Sequence, residues 1–190
     1  MITYVTHRGF GATAAALDDR TLGRQRVEAQ EIFNTLTLTD ELPKDPVYRM
    51  WEGYEFALGI YCMMLCMEFT MHRGIADKIF WEVAAAIKDM KRTDASFTME
   101  HPPWHDDKDV MRSHRSNLLR LESSGSRVAG HDYLKHFGKA TPANMPYLWP
   151  ILDENEESGY KLMVSKSDKA LLAAGNRQLP DAIAQRVANL

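Results

Sequence analysis

The chain has 190 residues, 45% hydrophobic and 26% charged, with a formal net charge of −3. That is an ordinary soluble composition for one globular domain with or without an appendage, and it excludes a global basic field; any affinity for anions must come from local clusters. Two cysteines exclude a disulfide framework, no signal-peptide core opens the chain, and the longest apolar run, Ala57 to Met67, is too short for a bilayer, so a cytoplasmic setting with no membrane contact is expected.

Residues 1–8 read as a short extended arm, ending at a joint formed by Gly9, Phe10 and Gly11. Thr13 can cap the alanine run that follows. The first strong period spans Asp18 or Asp19, as N-cap, to about Leu36. It sets Leu22, Ala29, Ile32, Phe33 and Leu36 on one arc and Arg20, Arg24, Glu28 and Glu31 opposite. Gln25 falls inside the apolar arc, and Glu28 lies at its edge beside Arg20, Arg24 and Arg26. A carboxylate held at the border of a core by arginines suits acid–base chemistry on an anionic substrate. The plainer alternative is an Arg24–Glu28 pair one turn apart on a solvated face, worth about 0.2–0.5 kcal/mol. Gly23, inside the helix, suggests close approach by another backbone or a ligand.

After a loop at Leu42 to Pro46, residues 47–72 read as one long central core helix, with Asp45 as its cap and Pro46 at its first position. Gly74 stops it, and Ile75 to Met90 forms another helix. Lys91 to Pro103 is a loop. Asp106 or Asp107 caps a helix near Asp109 to Leu121, residues 127–150 are irregular, and the acidic run Asp153 to Glu157 marks a boundary. Beyond it, Tyr160 to Ala174 and Asp181 to Asn189 are helical candidates. The expected architecture is therefore all-α: a compact helical domain over 1–155 with a long core helix, and a C-terminal helical appendage over 156–190. The only strand signal is the weak one at the N-terminus.

Three basic groups are separated in sequence: His7 with Arg8, Arg20 with Arg24 and Arg26, and Arg112 with His114, Arg115 and Arg120, the last group carrying Asn117 as a further donor. Guanidinium forks beside amide and hydroxyl donors suit phosphate oxygens. Converged, they would build an anionic-substrate site around Glu28; dispersed, each is a solvated patch. His101 and His105 beside Asp106 and Asp107 invite a metal, but Pro102 and Pro103 prevent a helical spacing, and Cys62, Cys66 and His72 fit no better. No metal and no cofactor are expected, since phosphate-loop, dinucleotide and nucleophile-elbow motifs are also missing. Trp104, Tyr147 and Trp149 lie in loops, where they could stack on bases or close the core.

The stretch Leu17-Asp18-Asp19-Arg20-Thr21-Leu22-Gly23-Arg24-Gln25-Arg26-Val27-Glu28-Ala29, with Pro46, Arg49 to Glu55, Arg112 to Arg120 and Pro146 to Pro150, resembles the pyrimidine-dimer DNA glycosylase superfamily of the endonuclease V type, and within it a bacterial and phage branch. The resemblance covers most of residues 1–150. It implies a helical fold, a DNA or nucleotide substrate and excision of a damaged or modified pyrimidine. It further implies an N-terminal amine that forms a Schiff base at the deoxyribose C1′, and a helix glutamate that serves that intermediate in the lyase step. By position Glu28 is that glutamate. An α-amine titrates near ~7.7–8.0, so part of it is a nucleophile at neutral pH. The family exposes a threonine amine after methionine removal, and Ile2 is too bulky for that processing. The nucleophile is then Met1, or Thr3 after trimming, or the lyase step is absent. A non-catalytic helical module that binds nucleic acid or a partner is the alternative.

Overall fold

A computed structural model of the chain describes residues 1–74, 76–93, 100–123, 131–139, 141 and 145–165. They form two compact units. One comprises Met1–Thr3 and His7–Pro102; the other comprises Tyr4–Thr6 and the chain from Pro103 onward. The protein is mostly helical, with seven helices and one two-stranded sheet among the described residues. None of these helices is long and apolar enough to cross a membrane.

The first unit is built from α1 (Phe10–Ala15), α2 (Asp19–Leu38), α3 (Pro46–Arg49), α4 (Glu55–Arg73) and α5 (Lys78–Thr93). Helix α2 starts where a carboxylate can take its orphan amides: Asp18 Oδ1 accepts from the Arg20 and Thr21 N–H groups at 2.9 Å each, and its Oδ2 from the Thr21 hydroxyl at 2.7 Å. The apolar arc of α2 is buried through Leu22, Ala29, Ile32 and Phe33, packed mainly on α4. Gly59 is the residue that lets α4 come close. A Cβ there would lie 2.7 Å from Ile87 Cδ1 and 3.0 Å from Phe33 Cε2. Gly23, by contrast, faces only the Phe69 ring, at an ordinary 3.5 Å. Gly74 closes α4 in the left-handed conformation, φ 65°.

The expected single helix over 47–72 is corrected to two, α3 and α4, separated by Met50 to Tyr54. Gly53 turns the chain at φ 76°, and its N–H is taken by the Glu55 carboxylate at 2.8 Å. Met50 and Trp51 keep the apolar period although the helix stops, because both are fully buried. The next helix opens at Lys78, where Asp77 Oδ1 accepts from the Ile79 N–H at 3.1 Å; Ile75 lies outside the described residues.

The second unit contains α6 (Lys108–Ser123), α7 (Tyr133–Phe137) and an antiparallel pair, β1 (Leu148–Leu152) and β2 (Tyr160–Val164), with Leu148 opposite Val164 and Leu152 opposite Tyr160. Asp107 Oδ1 caps α6 through the Asp109 and Val110 amides, at 2.7 and 3.3 Å. The sheet corrects the all-α expectation, and three readings change with it. The irregular stretch through Pro150 runs into β1 at Leu148. The acidic run is the hairpin connection, with the Asp153 N–H on the Gly159 carbonyl at 3.1 Å. Tyr160 to Val164 is a strand with alternating burial, not the start of a helix. The helical candidates beyond residue 165 lie outside the described residues. No strand forms at the N-terminus.

Candidate active site

Each of the first three residues of the chain is held by a different side chain of the first unit. The Met1 amine lies 3.6 Å from Asp45 Oδ2, while Asp45 Oδ1 caps α3 through the Val47 N–H at 3.0 Å. The Ile2 carbonyl accepts from Gln25 Nε2 at 2.6 Å. The Thr3 hydroxyl accepts from the Trp51 indole N–H at 3.1 Å and donates to Met50 Sδ at 3.4 Å. An arm of three residues cannot bury enough surface to order itself, so these bonds supply the order.

Gln25 links that arm to Glu28. Its side chain is fully buried, and Nε2 donates to Glu28 Oε2 at 3.0 Å as well as to Ile2, while Oε1 accepts from the Tyr61 hydroxyl at 3.0 Å. Two acceptors on one side and a hydroxyl on the other admit only one orientation of the amide. Tyr61 is itself fixed: its ring stacks on Trp51 at 5.6 Å and meets Phe10 edge-on at 5.4 Å. The Glu28 carboxylate is 21% exposed and stands at the border of the core, Oε2 toward buried Gln25 and Oε1 3.7 Å from Nε of half-exposed Arg24. A carboxylate so placed can accept a proton from a reacting group at the surface while its inner oxygen stays hydrogen-bonded.

The remaining candidates are distributed as follows. Arg20 is exposed on α2. Arg26 points away from Glu28, Nη1 2.9 Å from Asp77 Oδ2 and the guanidinium 4.2 Å over the Phe69 ring; Asp77 is buried, so this cation is committed inside the unit. His7 exchanges backbone bonds with the Thr13 hydroxyl at 3.0 and 3.3 Å, and Arg8 is exposed.

In the second unit Arg112 is exposed and 3.8 Å from Asp109. His114 is fully buried: Nδ1 accepts from the Val5 N–H at 2.9 Å, Nε2 faces the Leu148 carbonyl at 3.3 Å, and Tyr147 stacks on the ring at 4.3 Å. Burial pushes its pKa down to about 3, so the ring is neutral at physiological pH, with both nitrogens engaged. Arg115 Nε donates to the Thr6 carbonyl at 2.7 Å, and its pKa is lowered, first by burial and then by Arg112. Asn117 Oδ1 accepts from the Tyr4 hydroxyl at 2.7 Å, and Arg120 donates to the Met145 carbonyl. His114, Arg115 and Asn117 therefore hold residues 4–6 rather than presenting open donors to phosphate.

His101 packs edge-on against Phe10 at 5.5 Å, and buried His105 lies 3.4 Å from Asp106. Among the described residues no three His, Cys, Asp or Glu side chains gather in a metal-holding group. Trp104 and Tyr147 are fully buried and Trp149 nearly so, which makes them core. The residues that join Glu28 to the chain terminus, Gln25, Tyr61 and Asp45, carried only partial signals: an amide in an apolar arc, a core aromatic and a helix cap.

The part of this geometry that links the chain's first residues to Glu28 lies within a segment that matches a known family. Residues 1–83 match the family model described as pyrimidine dimer DNA glycosylase. The match supports the resemblance to that superfamily and spans the arm, α1 to α4 and the start of α5, hence Met1, Gln25, Glu28, Asp45 and Tyr61 together. It does not extend to Arg112 or its neighbours. No curated protein and no solved structure gives a significant match to the chain.

Proposed function

We propose that the protein is a DNA N-glycosylase acting on a damaged or modified pyrimidine, with an abasic-site lyase step run by its N-terminal amine. The observation that carries this reading is the Gln25 bridge, which ties the carbonyl of residue 2 to the carboxylate of Glu28 within the segment similar to the glycosylase family. The unprotonated Met1 amine attacks C1′, a bond forms from nitrogen to carbon, and the base departs with the glycosidic electron pair and takes up a proton. Asp45 Oδ2, 3.6 Å from the amine, is placed to accept the proton that the nitrogen sheds. Opening of the sugar ring, with O4′ taking a proton, leaves the imine. The Glu28 carboxylate then removes a C2′ proton, the 3′ C–O bond breaks, and the phosphate leaves with its electron pair; water hydrolyses the imine and restores the amine. The exposed guanidinium groups of Arg8, Arg20 and Arg24, in the same unit as Glu28, contact backbone phosphates.

The test is borohydride trapping on a labelled duplex containing one abasic site, with the attachment residue read by peptide mass spectrometry. An adduct on Met1 is expected, and Glu28→Gln should slow strand cleavage by about 10²–10⁴-fold, the range of a general base. Undiminished cleavage by Glu28→Gln would refute the assignment. No adduct and no base excision from folded protein, with DNA binding kept in Glu28→Gln and lost in Arg112→Ala plus Arg115→Ala, would instead favour the binding module in which Glu28 only pairs with Arg24.

A further inference from the structure

We infer that Gln25 is a positioning residue that holds the N-terminal arm and Glu28 in one geometry, with Tyr61 setting the orientation of its amide; this rests on the glycosylase reading for its catalytic consequence. The bond partners set the roles. Both amide hydrogens of Gln25 are spent on functional neighbours, the Ile2 carbonyl at 2.6 Å and Glu28 Oε2 at 3.0 Å, so the separation between residue 2 and the carboxylate is defined by a single rigid group. The Tyr61 hydroxyl, 3.0 Å from Oε1, stabilises this orientation over the flipped one, which would turn the amide oxygen toward two acceptors. The Tyr61 ring cannot drift, because Trp51 stacks on it, and the Trp51 indole N–H holds Thr3. Buried Gln25 and Trp51, both in contact with Tyr61, thus meet the arm at two successive residues, Ile2 and Thr3.

A buried glutamine on the packed arc of a helix is a costly choice unless its amide does something that an apolar residue cannot. Here it sets the residue next to the reacting amine in register with the Glu28 carboxylate, and a displacement of about 1 Å between reacting groups costs roughly 10²-fold in rate.

The experiment compares the full-length protein with Gln25→Leu and Tyr61→Phe, the second keeping the aromatic stack in case the first fails to fold. Backbone ¹⁵N relaxation reports the order of the Ile2 and Thr3 amides without reference to activity, and single-turnover trapping on the abasic duplex reports imine formation alongside DNA affinity. In the wild type the arm should be as rigid as α2, with order parameters near ~0.85. In Gln25→Leu they should fall toward ~0.6 or below, imine formation should slow by at least tenfold, and DNA affinity should stay within about twofold, a split that a general loss of structure would not produce. Tyr61→Phe should show the same changes in smaller measure. An arm that stays rigid in both variants overturns the inference, as does unchanged imine formation in an active wild type. A wild type that forms no imine but whose arm loosens in Gln25→Leu refutes the imine step of the glycosylase reading and leaves the clamp standing.

Discussion

Replacing His114 by glutamine tests whether this histidine is a buried latch or a cation available to phosphate. The folded ring accepts from the Val5 N–H at 2.9 Å through Nδ1, which leaves its proton on Nε2, toward the Leu148 carbonyl at 3.3 Å. Burial lowers its pKa from 6.5 to about 3. Above pH 6.5 the ring is neutral in both folded and unfolded chains, and this group makes stability independent of pH. As pH falls from 6.5 toward 3, the unfolded chain takes up a proton that the folded one refuses, and stability drops by about 1.4 kcal/mol per pH unit. At pH 5 the loss is about 2 kcal/mol, the product of roughly 1.5 pH units and that slope. Glutamine can accept from Val5 and donate to Leu148 but takes up no proton in this range. Urea unfolding followed by far-ultraviolet circular dichroism at pH 7.5 and pH 5 should therefore show the wild type losing about 2 kcal/mol more than His114→Gln, or near 1 M in midpoint at an m-value of about 2 kcal/mol per M. Equal losses would mean that the folded ring carries its proton, and would return His114 to the list of phosphate ligands.

Two further outcomes follow from the packing of the first unit. Gly59→Ala should lower the melting temperature, since a Cβ 2.7 Å from Ile87 Cδ1 costs about 1–3 kcal/mol of overpacking against the ~1 kcal/mol that alanine brings to a helix. Adding Ile87→Val removes the clashing methyl, and a double-mutant cycle by thermal melting should show the two changes coupled by at least 0.5 kcal/mol, on the order expected for touching residues; strict additivity would disprove the contact. Arg26→Leu should cost about 3–5 kcal/mol by stranding buried Asp77, and Asp77→Asn added to it should restore most of that loss while retaining an oxygen for the Ile79 N–H. Chemical denaturation checks both, and full stability of Arg26→Leu together with weakened DNA binding would make Arg26 a phosphate contact instead.

The helix ends were legible because their chemistry is local. Asp18, Asp45, Asp107 and Gly74 satisfy orphan backbone groups within a few residues of themselves, and any fold that keeps those helices must use them so. The break between α3 and α4 was not legible, since Met50, Trp51 and Tyr54 continue the apolar period across a turn; burial against the N-terminal arm demands the same residues as burial along a helix. The hairpin was hidden for a related reason. Tyr160, Leu162 and Val164 do alternate with Lys161 and Met163, but a period over five residues is short, and β1 opposite it is an unbroken apolar run containing Pro150, with no alternation at all.

The candidate site divides along the same line. An amide out of place in an apolar arc and a carboxylate at that arc's edge marked Gln25 and Glu28 as worth attention. The Arg24–Glu28 pair, one turn apart on α2, was legible from spacing; that Arg26 is turned into a buried pair with Asp77 was decided by what α4 and the residues just before α5 bring to that side of α2. Partners of Gln25 lie 23 residues away at Ile2 and 36 away at Tyr61, and Trp51 meets Thr3 across 48. Periodicity specifies which side of a helix is buried; it carries no information about which distant polar atom a buried amide will find. That selection is made when the core closes, because each buried donor and acceptor must then be matched at hydrogen-bonding distance by whatever the tertiary structure places opposite it.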